Sequence, residues 1–356
     1  LPDLNGTEVL QEIIKLKPTL PVIMISGFGT LKDAVQATKI GAYDFLEKPL
    51  EREKILLAVR NALGYERMER EITLLKQEAL KKYQMVGFSE SMRKIFNLID
   101  EISHSDATVL ITGESGVGKE LVARAIHNKS KRKEKPFIKI NCAAMPDTLI
   151  ESELFGHEKG AFTGATTQKK GKLEIAHKGT LFMDEIGDLS LSAQAKLLRF
   201  IQESELERVG GTQTIKVDVR TITATNKNLE DEITKSNFRE ELFYRLNVIN
   251  IYVPPLRERK EEVPVLADYF LEKYCDENGV PKKYLVAEAI EFLKSLEWKG
   301  NIRELENLLE RASILIKSQE IKSIDLRRIT EEKSKPKSPD KKNLGMQPKS
   351  SKKILS

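Results

Sequence analysis

The chain has 356 residues, 40% hydrophobic and 32% charged, which is enough to bury the cores of two or three domains and is the composition of a soluble globular protein. No apolar run approaches a membrane span, no secretory leader opens the sequence, and a net charge of +5 does not by itself indicate nucleic acid. Cys142 and Cys275 are too few and too distant for a disulfide framework or a zinc site, so a reducing cytoplasm with no membrane partner is expected.

Residues 1–63 read as the closing part of an α/β unit, with strands over 22–25 and 43–46, helices over 31–40 and 50–63, and a turn at Lys48-Pro49 suited to a cis peptide. The runs Leu1-Pro-Asp-Leu-Asn-Gly6 and Ala42-Tyr-Asp-Phe-Leu-Glu-Lys48-Pro49, with Ser26 between them, resemble the second half of a response-regulator receiver domain, a flavodoxin-like fold. That resemblance implies that Ser26 contacts a phosphoryl group, Lys48 pairs with it and Phe45 is the switching aromatic. The phosphoacceptor Asp and the acidic metal-binding pair would lie upstream of residue 1. The stretch is therefore expected not to bind phosphate alone, and the sequence reads as a fragment of a longer protein.

Residues 64–84 are charged and helix-prone, carrying Glu66, Arg67, Glu69, Arg70 and Glu71. Ile72, Leu75 and Ala79 form a short seam at steps of three and four residues. A solvated connecting helix and a dimerising coiled coil both fit.

From residue 85 strands and helices alternate, with strands expected over 108–112, 137–140, 180–183, 219–223 and 248–253, as in a parallel sheet covered by helices on both faces. The first strand runs into Gly113, Glu114, Ser115, Gly116, Val117, Gly118, Lys119 and Glu120, and a helix follows. Strand, glycine loop and helix in that order suit a phosphate-binding loop: the glycines let backbone N–H groups converge, Lys119 adds a point charge, and the helix N-terminus adds partial positive charge. The usual Ser/Thr after the lysine is Glu120, so the loop alone also fits a plain strand–helix turn. The strand over 180–183 ends in Asp184 and Glu185, of which Asp184 can hold Mg²⁺ and Glu185 can polarise water, and together with the loop this points to ATP or a similar nucleotide. Pro254-Pro255 marks a boundary, and helices over 261–274, 287–296 and 302–316 read as a lid. The expected domains are 1–63, 64–84, 85–255, 256–320 and a basic tail, 321–356. From Lys333 on, that tail is proline-containing and without apolar period, reading as a disordered linker or a DNA-touching arm.

Gly160, Ala161, Phe162, Thr163, Gly164 and Ala165 stand out. An aromatic and a hydroxyl between glycines and alanines fit a projecting hairpin tip, or an ordinary turn that buries its Phe. This run is the loop signature of sigma-54-dependent transcription activators, the NtrC-type bacterial enhancer-binding proteins, which the chain resembles over roughly 86–315 as an AAA+ ATPase domain. That family characteristically carries Glu at the position of Glu120.

The resemblance implies that Phe162 and Thr163 contact the sigma factor of promoter-bound RNA polymerase. It implies that Asn141 holds Glu185, that Asn226 after Thr225 is a first sensor, and that Arg303 in Gly300-Asn-Ile-Arg303-Glu-Leu-Glu-Asn is a second sensor. Asn301 with Glu304 suggests a capping pair that sets Arg303 in a helix's first turn, where a cation needs an anionic partner. Arg239 and Arg245 would be arginine fingers that reach a neighbour's γ-phosphate, worth roughly 10³–10⁵ in rate in other nucleotide hydrolases, so a hexameric or heptameric ring is implied. A sensor kinase is the implied partner of the receiver part. The Fis-type helix-turn-helix that would bind promoter or enhancer DNA is not legible after Leu315; it is cut off or this member lacks it. A remodeller of a different protein client and a nucleotide-sensing module without useful hydrolysis are the alternatives.

Overall fold

The structure, a computed structural model, describes residues 5–27, 30–83 and 85–334. Residues 1–4 of the receiver-like run, the side chains of the seam Ile72, Leu75 and Ala79, and the basic stretch from residue 335 lie outside the described residues. The chain divides into two units, Leu1–Gln84 and Met85–Ser356.

In the first unit, α1 (Gly6–Leu16) and α2 (Leu31–Ile40) each start with a capping box, from Asn5 with Glu8 and from Thr30 with Asp33. Strands β1 (Ile23–Ser26) and β2 (Asp44–Glu47) pair in parallel over a small core of Leu10, Ala37 and Ala42, against which Phe45 packs. The Lys48-Pro49 peptide is cis. The Lys48 N–H donates to the Ser26 carbonyl at 2.8 Å, which brings those two expected residues together. One helix, α3 (Arg52–Lys82), then runs 31 residues, joining the helix expected over 50–63 to the helix-prone stretch after it. Gly64 stands inside this helix with open space around it, where glycine lowers propensity by only about 1 kcal/mol.

The second unit begins with α4 (Glu90–Ile102), whose buried Met92, Ile95, Ile99 and Ile102 recur at helical spacing. Then come β3 (Val109–Thr112), α5 (Lys119–Lys129), β4 (Phe137–Asn141), α6 (Asp147–Phe155) and a hairpin of β5 (Gly156–His157) and β6 (Lys169–Lys170). Next are α7 (Lys172–Ile175), β7 (Thr180–Asp184), α8 (Leu191–Glu203) and a second hairpin, β8 (Glu205–Glu207) with β9 (Thr214–Lys216). The core domain closes with β10 (Arg220–Thr225), α9 (Leu229–Thr234), α10 (Glu240–Leu246) and β11 (Ile249–Tyr252).

Strands order as β11-β3-β10-β7-β4, all parallel. Successive residues of one strand enter opposite cores: Leu110, Leu181 and Met183 join one cluster, while Val109, Ile111 and Phe182 join the other. Both faces are thus covered, which is why these strands read as unbroken apolar runs. The loops at the strands' C-terminal ends fall side by side, where open α/β sheets bind ligands.

The lid comprises α11 (Val263–Glu277), α12 (Ala287–Ser295), α13 (Asn301–Leu315) and α14 (Ser323–Ser334), with strands β12 (Tyr284–Leu285) and β13 (Glu320–Ile321) paired in parallel. The expected tail from residue 321 is corrected: Ile321, Leu326 and Ile329 are buried in the lid core beside Trp298 and Leu309. Charged residues between those apolar positions hide their periodicity.

Candidate functional site

The loop between β3 and α5 is held on several sides. Gly113, Gly116 and Gly118 have φ of 149°, 79° and 105°, in the region where glycine is the natural residue. A Cβ on Gly113 would stand 2.6 Å from the Val253 carbonyl, and one on Gly116 2.4 Å from the Gly300 carbonyl. Lys119 is buried, and its Nζ donates to the Gly113 and Glu114 carbonyls at 2.8 and 3.3 Å. Glu114 accepts both arms of Arg257, at 2.6 and 2.8 Å, and the Asn301 amide at 3.1 Å. Those hydrogen bonds from Arg257 and Asn301 lower its pKa to about 2.

The two carboxylates stand beside this loop. Glu185, at φ 54°, places Oε1 3.5 Å from Lys119 Nζ and accepts the Asn226 N–H on Oε2 at 3.0 Å. The main chain of Asn226 thus orients Glu185, and β10 supplies it because that strand lies between β3 and β7. Asp184 Oδ2 lies 3.6 Å from Lys139 Nζ, which also binds Glu120 at 2.6 Å. Burial raises the Glu120 pKa, but hydrogen bonds from Lys139 and Arg124 outweigh it and leave it below the ordinary value.

Two expected contacts differ. Asn141 lies in register with Asp184, yet its Oδ1 accepts the Ala143 N–H at 3.0 Å instead of holding Glu185. A short helical turn begins at Cys142, and its free N–H takes the nearest side-chain oxygen. Asn301 does not cap α13 either. It has φ 54° and is fully buried, its Oδ1 accepting from the Leu256 N–H at 2.9 Å and its Nδ2 donating to the Ser115 carbonyl at 3.0 Å. Glu304 instead accepts the Gly300 N–H at 2.9 Å. Arg303 does fall in the first turn, where its Nη1 donates to Ser115 Oγ at 3.2 Å, and among the described residues no carboxylate pairs with it.

Arg239 is the N-cap residue of α10 and Arg245 lies in its last turn, and both are exposed. Arg239 Nε donates to the Leu191 carbonyl at 3.2 Å; among the described residues neither arginine is ion-paired.

The run 160–165 tops the β5–β6 hairpin. Gly160 N–H donates to the Ala165 carbonyl at 2.8 Å, closing a tight loop, and Ala165 is buried while Thr163 is exposed. Phe162 is 39% exposed, its ring edge-on to His157 at 5.0 Å, so the projecting-tip reading fits better than the buried-Phe turn. His157 is fixed in turn by Ser152 Oγ, 2.7 Å from its Nδ1.

Residues missed at the sequence level anchor this loop. Arg208, in the loop of the second hairpin, pairs with Glu174 at 2.7 Å and Glu158 at 2.8 Å, and both carboxylates raise its pKa. A Cβ on Gly210 would meet Ala161 Cβ at 2.7 Å, so the two hairpins touch there. No spacing signal joins Arg208 to Glu158. The adjacent glycines at 210–211 are a turn signal that marks the second hairpin.

Three family models match this chain: the Sigma-54 interaction domain over residues 85–252, the AAA+ ATPase lid domain over 257–343 and the response regulator receiver domain over 1–60. The chain is 46% identical over 324 residues to the transcriptional regulatory protein ZraR of Klebsiella oxytoca, covering 91% of this chain and 73% of that one. It is 46% identical over 326 residues to the DNA-binding transcriptional regulator NtrC of Azospirillum brasilense, covering 92% and 67%. The crystal structure of NtrX from Brucella abortus in complex with ATP is similar at a TM-score of 0.76 and 37% identity, over 96% of this chain and 74% of that one. The ADP complex of the same protein gives 0.72 and 40%, over 87% and 69%.

Proposed function

The chain belongs to the sigma-54-dependent transcriptional activators of the response-regulator type, and from that membership we propose how its residues divide the work of an ATPase coupled to promoter opening. The observation that carries the reading is the meeting of the glycine loop, Lys119 and Glu185, with 3.5 Å between ammonium and carboxylate at the C-terminal edge of the sheet. The loop's N–H groups and Lys119 take the phosphates of ATP, and Arg303 approaches the same loop from the lid. Glu185, oriented by Asn226, takes the proton of the attacking water.

Magnesium favours oxygen donors and is usually held by one or two carboxylates together with substrate phosphates and water. The donor set here fits that habit. Asp184 offers one carboxylate beside the phosphate loop, and among the described residues no group of three or more metal-ligating side chains would hold an ion alone. Asp184 would hold Mg²⁺ arriving with ATP, and the bound ion offsets phosphate charge.

Arg239 and Arg245, exposed and without ion pairs among the described residues, serve the pocket of a neighbouring copy in a ring. Contiguous contacts support coupling to the loop. On α6, Glu151 binds Ser192 and Lys196 of α8, Ser152 binds His157 under Phe162, and Glu153 binds Lys169 of the hairpin. The α8 residue Leu191 receives Arg239. Phe162 and Thr163 then meet sigma-54 RNA polymerase. DNA binding and a sensor kinase belong to the same proposed cycle, Ser26 and Lys48 serving the receiver part. A different protein client is not favoured by the matches.

The test is phosphate release measured as protein concentration rises, with and without Arg239→Ala and Arg245→Ala. Turnover per chain should climb with assembly and collapse in both variants. Full-rate hydrolysis by a monomer would refute the shared pocket. Among the described residues no helix is long and apolar enough to cross a membrane.

A further inference from the structure

Each carbonyl from Gly113 to Val117 has a donor. Lys119 takes those of Gly113 and Glu114, Asn301 Nδ2 that of Ser115 at 3.0 Å, the Arg303 N–H that of Gly116 at 3.3 Å, and Arg259 Nη2 that of Val117 at 3.1 Å. The donors to Ser115, Gly116 and Val117 all come from the segment after Pro255. A trans peptide points its carbonyl opposite to the next residue's N–H. Pinning the Val117 carbonyl therefore fixes the direction of the Gly118 N–H, at a glycine of φ 105° whose peptide plane would otherwise be freer to turn.

Arg259 is 1% exposed and pairs through Nη1 with Glu262, which is fully buried, at 3.2 Å. Glu262 spends its other oxygen on the N–H groups of Phe88 and Ser89, at 2.9 and 2.8 Å, at the start of α4. Among the described residues Arg259 Nε has no partner. A buried ion pair with an orphan donor is a poor stabilising device, since apolar replacements of similar volume are often neutral. Its geometry suits positioning better: one guanidinium ties the phosphate loop to the carboxylate that holds the first residues of the unit.

We propose that Arg259 is a positioning residue for nucleotide binding, holding the phosphate loop preorganised from the lid side so that affinity for the phosphates depends on how the lid is seated. It touches no phosphate itself. The inference rests on the ATP-binding reading above and assigns that binding a residue outside the loop.

The experiment measures ATP and ADP dissociation constants, KM, kcat and Tm for the whole chain and for Arg259→Lys and Arg259→Met. Lysine keeps the charge toward Glu262 but lacks the fork needed for Val117 as well. Losing one charge-assisted hydrogen bond should weaken ATP and ADP alike, by about tenfold. KM should rise with little change in kcat at saturation, and the Tm of Arg259→Lys should stay near that of the unsubstituted chain. A structural role alone would lower Tm and the active fraction while leaving KM in place, and that result overturns the proposal. If Arg259→Met does not fold, Arg259→Lys decides: unchanged ATP and ADP affinity in that folded variant also overturns it. Failure of the unsubstituted chain to bind ATP would instead sink the underlying reading.

Discussion

Two glycine loops, 113–118 and 160–165, look alike on paper and live in opposite surroundings. In the first, added Cβ atoms at Gly113 and Gly116 would strike backbone oxygens at 2.6 and 2.4 Å. In the second, Gly160 and Gly164 have φ of 84° and 107°, yet an added Cβ would meet nothing within 4 Å. Glycine serves close approach in one and conformational freedom in the other. The difference teaches where each loop's shape is decided: from outside, by the lid and β11, or by its own dihedrals above an anchored base.

The largest expected effect comes from chemistry at the caged end. Glu185→Gln should still bind ATP while turnover falls by about 10²–10⁴-fold; near-normal phosphate release would remove Glu185 from the mechanism. Next, Gly116→Ala adds left-handed strain, about 1–3 kcal/mol, to a clash with the Gly300 carbonyl. Calorimetry should show a lower Tm and titration a loss of ATP binding. A variant matching the parent in both would mean that the loop is not caged.

At the open end Phe162→Ala should leave ATP hydrolysis intact and abolish sigma-54-dependent transcription in vitro, and unimpaired transcription would refute the tip assignment. Gly164→Ala meets no neighbour, so only the dihedral cost of about 1 kcal/mol applies, with nucleotide affinity unchanged. A Tm loss as large as that of Gly116→Ala would erase the contrast between the loops.

The smallest effect is the pH response of the Glu114–Arg257 pair. The pKa of Glu114 is depressed to about 2 in the folded chain, so its contribution is fully present above the ordinary carboxylate value of 4.5 and is lost as pH falls through about 2. Glu114 and Arg257 are about two-fifths exposed, and salt screens such pairs. Glu114→Gln should shift Tm slightly at pH 7 and flatten its fall below pH 4.5; an unchanged acid profile would show that the pair is not linked to folding.

The parts legible in sequence were those whose physics is local. β3, the glycine loop and α5 are consecutive, so Lys119 could be assigned from spacing, and the apolar run of β7 announced Asp184 and Glu185. The loop at 160–165 was legible through its resemblance to a family, since glycine turns by themselves do not say whether a Phe projects. Asn141 shows the limit: the same side chain can hold a carboxylate or cap the turn beside it, and the local N–H at Ala143 wins here. α14 escaped notice because its two buried apolar residues sit among charges.

The order of strands and helices, the glycine loop and the strand-end carboxylates were thus determined by the sequence itself, through short-range steric and hydrogen-bonding preferences. Only the tertiary structure decided that Arg259 and Asn301 grip the loop, that Arg208 braces the projecting hairpin with Glu158 and Glu174, and that Asn226 aims Glu185. Those partners lie 34 to 187 positions apart. Such pairs form only after strand order and lid packing have brought distant segments together, and composition or spacing along the chain carries no trace of them.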